Sequence, residues 1–147
     1  MKIWIRNLQK HIPLDLKSIR RAAQRILANL ALPDAELSIL LVDDAQIQEL
    51  NLRHLGRDRP TNVLAFSMRE GEFSTLHPQL LGDLVISVET AHRQSNRFRL
   101  NGMKMIILLM VHGILHLLGY EHEGTRTGAR EMAIKQKKLF RRAIPKL

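Results

Sequence analysis

The chain has 147 residues, 45% of them apolar, which suits one globular domain with a buried core and excludes a disordered chain. It contains no cysteine, which excludes a disulfide partner and thiolate metal sites. Lysine and arginine number 23 against 14 aspartate and glutamate residues, and this formal net charge of +9 favours a polyanionic partner, above all nucleic acid.

The apolar segments are too short to cross a membrane. Residues 1–10 lack the apolar core of a signal peptide. The longest apolar run, residues 105–118, is interrupted by His112 and His116 and is shorter than the roughly 20 residues that span a bilayer. We therefore expect a cytoplasmic protein with no membrane partner.

The chain begins with alternating strand and helix signals. Residues 2–6 alternate in polarity and predict a short strand, in which Trp4 is expected to be a core residue. Asp15 can cap the helix that follows, whose apolar stripe has a helical period and ends before Pro33. The continuous apolar run at 36–42 then predicts a buried strand.

The next segment predicts a capped helix, a loop and another strand. Asp43, with Gln46 three positions later, resembles a capping box and predicts a helix over about 44–52. Glycine and proline mark a loop at 56–60, and 63–67 reads as a strand.

The second half of the chain is mostly helical. Residues 69–80 predict an excursion loop and 82–88 a strand, after which helices are expected over about 89–99, 103–118 and 127–142. Together these elements predict a single α+β domain, with a mixed sheet of about four strands packed with about five helices.

Residues 112–122, HGILHLLGYEH, carry the spacing of a metal site. His112 and His116 lie four positions apart and project from the same face of a helix. Gly119 permits a left-handed turn that can bring His122 back as a third ligand. Three imidazoles leave the fourth position of zinc open, which is typical of catalytic sites, although imidazole also suits other transition metals.

The same spacing occurs in metzincin proteases, whose catalytic glutamate directly follows the first histidine. Here that position is Gly113, which cannot act as a base and disfavours a peptidase. Glu121 is the nearest carboxylate, and it either assists the chemistry or is a surface acid at a turn. Phosphodiester hydrolysis is less demanding of that glutamate, because a metal and nearby cations can stabilise the added charge.

Four stretches together resemble the YbeY family of bacterial endoribonucleases of ribosomal RNA maturation. HGILHLLGYEH is similar to the family's HGxLHLxGYDH, and PTNVLAF at 60–66 to its PT(D/N)VLSF. LLGDLVIS at 80–87 and LVDDAQIQELN at 41–51 are similar to two further family segments. Their order and spacing agree over about residues 36–123.

This resemblance implies a mixed sheet packed with helices and one Zn²⁺ per chain, held by His112, His116 and His122. It implies single-strand-specific cleavage of RNA in the maturation of the 3′ end of small-subunit (16S) rRNA, and a role in ribosome quality control. The implied partners are rRNA, the small ribosomal subunit and its assembly factors.

One position departs from the family pattern. Family members usually carry an arginine just before the glycine of the loop that precedes PTNVLAF, and this chain has Leu55 there. Arg53, Arg57 and Arg59 lie close by as candidates to bind RNA. We take Arg57 and Arg59, with Glu121 in place of the usual aspartate, as candidate catalytic residues.

Several alternatives remain open from the sequence. The chain could be a zincin-like metalloprotease, or a ribosome-assembly binding protein whose metal only braces the fold. Asp83, a polar residue in an apolar strand, could hold a ligand imidazole or have a purely structural role.

Overall fold

The structure is a computed structural model that describes residues 1–69, 76–120 and 126–144. Over these ranges the chain forms four strands and five helices, as the sequence predicted. The strands are β1 (Lys2–Asn7), β2 (Glu36–Val42), β3 (Val63–Ser67) and β4 (Leu80–Ser87). The helices are α1 (Leu16–Asn29), α2 (Asp44–Leu55), α3 (Val88–Ser95), α4 (Gly102–Leu117) and α5 (Arg126–Ala143).

The strands form one mixed sheet in the order β1-β2-β4-β3. β1, β2 and β4 run parallel, and β3 is an antiparallel edge strand paired with β4. The parallel β1–β2 pair needs a crossover, which α1 supplies. The α+β prediction with a mixed sheet is therefore confirmed.

The main core lies between the sheet and the helices α1, α4 and α5. α4 is apolar around most of its circumference, and it packs against α1, α3, α5, β3 and β4. It contributes Met110, Ile114 and other fully buried side chains to a cluster shared with β2 and β4. A smaller apolar cluster on the opposite face of the sheet includes Ile47 of α2, so the sheet is covered unequally.

The expectation that Trp4 is a core residue is wrong. Strand alternation places its neighbour Ile3 in the core and Trp4 on the other face, where its side chain is 52% exposed. The apolar cluster beneath α2 draws on β2, β3 and β4 but not on the edge strand β1. No helix therefore covers this part of the sheet within the described residues.

The predicted caps are present where local sequence specifies them. The side chain of Asp15 accepts a hydrogen bond from the Ser18 backbone at 3.2 Å. Asp43 and Gln46 form the reciprocal capping box, with distances of 2.8 and 2.9 Å. Caps are local interactions between neighbouring residues, which explains why the sequence predicts them well.

Two helices end at other residues than the sequence predicted. α2 continues past the predicted end at about 52 as far as Leu55, and Gly56 terminates it in a left-handed conformation. α3 stops at Ser95 rather than near 99, where Arg99 adopts a φ of 56° that no α-helix contains. The predicted excursion loop at 69–80 lies partly outside the described residues. None of the helices described is long and apolar enough to cross a bilayer.

Candidate functional site

A cleft of about 530 Å³ opens between the amino-terminal side of β3, the loop after α2 and the last turns of α4. The loop contributes Arg57 and Arg59, and α4 contributes His112 and His116. These four predicted site residues come from segments more than fifty positions apart in sequence, and the fold brings them to one cleft. Residues 56–61 are named the arginine loop below.

A second cavity is larger, at about 670 Å³, but it lacks this chemistry. It lies beside the amino terminus and the α1–β2 connection, with Met1, Pro33 and Arg69 among its walls. It contains no histidine and borders Arg69, where the described part of the chain is interrupted. We therefore place the functional site in the histidine cleft on chemical grounds rather than by size.

The two histidines of α4 each present one ring nitrogen to the same point, as two ligands of a single metal would. Their Nε2 atoms lie 3.0 Å apart, and their rings meet edge to face with centroids separated by 4.5 Å. Two nitrogen ligands of a tetrahedral zinc, each bonded at about 2.0–2.1 Å, stand about 3.3 Å apart. The His112–His116 spacing is close to that value, so this donor set fits a metal of that kind.

The other ring nitrogen of His112 is fixed by α5. Nδ1 of His112 lies 2.7 Å from Oε1 of Gln136, and since an amide oxygen only accepts, Nδ1–H donates. This tautomer leaves Nε2 of His112 unprotonated and able to bind a metal. In the sequence, Gln136 stands out as a polar residue on the apolar side of α5. Its role in orienting His112 could not be inferred from this, because that role depends on the packing of α5 against α4.

The third predicted ligand, His122, and the carboxylate of Glu121 lie outside the described residues. The turn that leads to them is described. Gly119 has a φ of 96°, and its N–H donates to the carbonyl of His116 at 3.0 Å. The left-handed exit from α4 that the sequence predicted at Gly119 is therefore confirmed.

Gly113 is required by packing between α4 and the sheet. A Cβ atom at this position would lie 2.6 Å from Cδ2 of Leu84 and 3.4 Å from Cγ2 of Val63. Leu84 is fully buried, so it has little room to move away. The position that carries the glutamate in a metzincin thus faces the sheet here, and no general base fits there.

The arginine loop carries two of the three predicted cations into the cleft. Arg57 and Arg59 line it, whereas Arg53 pairs with Glu49 on the exposed side of α2 at 2.7 Å. Leu55 also lines the cleft and is 52% exposed. The wall next to the histidines therefore has the apolar side chain of Leu55, where the resemblance led us to expect an arginine, and two guanidinium groups just beyond it.

Asp83 holds neither His112 nor His116, the two predicted ligands that the structure describes. It is exposed, and strand alternation places it on the opposite face of β4 from Leu84, the residue that meets α4. Its hydrogen-bonding role towards His112 is taken by Gln136. Of the two roles that the sequence left open for Asp83, the one of holding His112 or His116 is therefore excluded.

A second group of residues has metal-compatible spacing. One ligand atom from each of His11, Asp43 and Glu89 lies within 4.8 Å of the others. Both carboxylates already accept backbone hydrogen bonds at helix starts, Asp43 from Gln46 and Glu89 from Asp44. The positive ends of the α2 and α3 dipoles favour the carboxylates and oppose an added cation. We therefore interpret this group as a capping arrangement.

Comparison with known proteins agrees with this geometry. Residues 4–143 match the model of the family described as endoribonuclease YbeY. A protein of that name from Syntrophotalea carbinolica is 48% identical over 141 residues, covering 95% of this chain and 94% of its own. Another from Syntrophus aciditrophicus is 48% identical, covering 94% and 85%. A solution structure from Thermotoga maritima superposes with a TM-score of 0.67 at 26% identity, covering 96% of this chain and 88% of its own. The fold, the cleft and these matches place the chain in the endoribonuclease YbeY family.

Proposed function

We propose that the chain is a metal-dependent endoribonuclease specific for single-stranded RNA, with residues 1–147 forming a single hydrolase domain. The observation that carries this proposal is the cleft that presents an orientated histidine pair opposite two arginines. The relatives of this chain bear the name endoribonuclease, which supports RNA as the substrate.

Three histidines would hold one Zn²⁺, or another divalent transition metal: His112, His116 and His122. The spacing of the first two and the tautomer imposed by Gln136 support this assignment. When bound, a metal of this kind acts as a Lewis acid and lowers the pKa of coordinated water.

The residues of the chain bind and orient the substrate around that centre. The guanidinium groups of Arg57 and Arg59 would bind the oxygens of a phosphodiester and stabilise the negative charge that develops on it. They would take over the role of the arginine that Leu55 replaces. Glu121 is a candidate for proton transfer, since Gly113 leaves no carboxylate beside the first histidine.

The basic helix α5 would extend the binding surface for RNA. It carries seven lysine and arginine residues against one acid, and through Gln136 it adjoins the histidine pair. Phosphate contacts along such a helix add affinity without sequence preference. We propose rRNA as the substrate, in cytoplasmic maturation of the 16S 3′ end and in ribosome quality control, with the small ribosomal subunit and its assembly factors as partners.

Two rival functions make different predictions. A zincin-like protease needs a general base that the packing of Gly113 against Leu84 excludes. A binding protein with a bracing metal does not need arginines aligned with an open metal-binding cleft. The present geometry favours the nuclease over both.

The proposal is tested with purified protein on three substrates: a single-stranded RNA, the same RNA in a duplex, and an unstructured peptide. We expect cleavage of the single strand only, loss of cleavage with a chelator and recovery on adding Zn²⁺. Peptide cleavage restored by zinc would support the protease instead. Metal binding without cleavage of any RNA would support the bracing role.

A further inference from the structure

Asn51, on the last turns of α2, lies in the wall of the histidine cleft. Asn51 is 2% exposed, although Leu55, Arg57 and Arg59 beside it in the cleft are exposed. Nδ2 of Asn51 donates to the backbone carbonyl of Arg59 at 2.9 Å. The neighbouring Arg57 N–H donates to the backbone carbonyl of Asn51 at 3.3 Å. Asn51 thus contacts the arginine loop at two points, through its side-chain amide at Arg59 and through its backbone carbonyl at Arg57.

The other end of the Asn51 amide is unsatisfied. Among the residues described, Oδ1 of Asn51 is the buried side-chain polar atom without a hydrogen-bond partner. Leaving a buried acceptor unpaired is unfavourable, and native proteins keep few such atoms. Rotating the amide would not help, because it would place Oδ1 against the carbonyl of Arg59, which also accepts. The buried amide therefore keeps the hydrogen bond from Nδ2 to the Arg59 carbonyl, while its Oδ1 stays without a partner.

The side-chain contact described elsewhere in the arginine loop is exposed. Nε2 of Gln48 donates to Oδ1 of Asp58 at 2.9 Å, but this contact is exposed to solvent. Gly56 ends α2 in a left-handed turn and starts the loop. The buried contact that sets the backbone at Arg59 is the one from Asn51.

We propose that Asn51 is a positioning residue that holds Arg57 and Arg59 at the cleft, so that both guanidinium groups meet the phosphates of a single-stranded RNA. This inference rests on the proposed function and adds a specific residue to it. An amide is needed here because aspartate has the same shape but no donor at neutral pH, and it would face the Arg59 carbonyl with a second acceptor.

The test compares Asn51→Asp and the neutral Asn51→Ser with Asn96→Asp, a matched control on the exposed Asn96. We expect both Asn51 variants to lose at least tenfold in kcat/KM for RNA, while bound metal stays at the parent level. The logarithm of RNA affinity should also fall less steeply with salt, since each lost phosphate contact reduces the slope by about 0.7 for single strands. Asn96→Asp should keep the parent slope and kcat/KM.

A double-mutant cycle separates positioning from a general structural role. If Asn51 acts through the arginines, Asn51→Ser adds little to the loss already caused by Arg57→Ala with Arg59→Ala. If it only stabilises the fold, the melting temperature falls, the salt slope is unchanged, and any loss in kcat/KM multiplies with that of the arginine variants, which would overturn the inference. If the parent protein cleaves no RNA, the proposed function fails, and the salt slope for RNA binding still decides the role of Asn51.

Discussion

Gln136 determines which nitrogen of His112 can bind a metal. Its side-chain oxygen accepts a hydrogen bond from Nδ1–H, with Nδ1 and Oε1 2.7 Å apart, and so leaves the unprotonated Nε2 facing His116. Replacing such ligand-orienting partners typically reduces metal affinity 10–100-fold. We therefore expect Gln136→Leu to weaken zinc binding by about that factor, as measured by competition with a chromophoric chelator.

The matched control is Gln24→Leu, because Gln24 is an exposed glutamine on α1. It should bind zinc as the parent does. Unchanged zinc affinity in a folded Gln136→Leu protein would contradict the assignment of Gln136 as the residue that fixes the tautomer.

A substitution at Leu55 is expected to strengthen RNA binding. It lines the cleft and is 52% exposed, so an arginine can be introduced there without burying charge. We expect Leu55→Arg to bind single-stranded RNA several-fold more tightly and to steepen the salt dependence by about 0.7, the value for one added phosphate contact. Leu8→Arg, on the exposed Leu8 away from the cleft, controls for the added charge. Equal gains in both variants would show that net charge, not the position, is responsible.

At the scale of residues, the sequence predicts what local spacing determines. The helical period puts His112 and His116 on one face, and Gly119 predicts the left-handed turn after them. The roles of Gln136 and Asn51 depend on contacts over 24 positions and on a loop carbonyl, which no local pattern reveals. The sequence left two roles open for Asp83, because an isolated polar residue does not show which face of a strand it occupies.

At the scale of elements, the close approach of α4 to the sheet explains Gly113. An added methyl group meets Leu84 in the core, and such overpacking costs about 1–3 kcal/mol, offset by about 1 kcal/mol of helix propensity. We expect Gly113→Ala to lower the free energy of unfolding by about 1 kcal/mol net in urea titrations.

Gly102→Ala is the matched control in the same helix. A Cβ at Gly102 would make an ordinary contact with His92 at 3.5 Å, so this variant should be neutral or slightly stabilised. If Gly113→Ala were as stable as Gly102→Ala, the packing explanation for the missing glutamate would be wrong.

Asp44 joins α2 to β4 and α3 through its side chain. Burial raises the pKa of this carboxyl, but hydrogen bonds from Arg93, Ser87 and Thr90 outweigh it and hold the pKa below its ordinary value of 3.8. A carboxyl whose pKa is lowered by folding stabilises the fold above its unfolded pKa, and this contribution is lost as pH falls through the folded pKa.

We therefore expect Asp44→Asn to lower the free energy of unfolding at pH 7 by about 1.5–3 kcal/mol, the scale of hydrogen bonds to a charged group. The difference from the parent should shrink as the pH is lowered below about 4. Urea titrations at a series of pH values measure it, with Asp34→Asn on the exposed Asp34 as the control. A difference that is constant with pH would contradict the role of the charge.

The helices and strands were predictable from the sequence where local residues determine their ends. Capping residues placed the starts of α1 and α2, and apolar runs placed β2 and β3. The predicted end of α2 fell short of Gly56, whose left-handed conformation terminates the helix. The predicted end of α3 was too late, because the helix stops at Ser95 and its cap Asn96 keeps a right-handed conformation, so no left-handed residue marks the end.

At the scale of the whole molecule, the sheet order brings the two halves of the site together. β3 lies at the edge beside β4, and α4 packs on both, so the arginine loop before β3 faces the histidines at the end of α4. The strand and helix signals along the sequence predicted the α+β class but not this order, because parallel pairing links segments far apart in the chain. The sequence analysis also missed the exposure of Trp4, which follows from β1 being an edge strand.

The central claim is that the histidine site carries the cleavage of RNA. The most direct measurement is the rate of single-strand cleavage by His116→Ala, made alongside its zinc content and its melting temperature without metal. We expect less than half a zinc per chain, at least a hundredfold loss of cleavage, and a melting temperature close to that of the metal-free parent. A folded His116→Ala protein that cleaves single-stranded RNA at the parent rate would contradict the account.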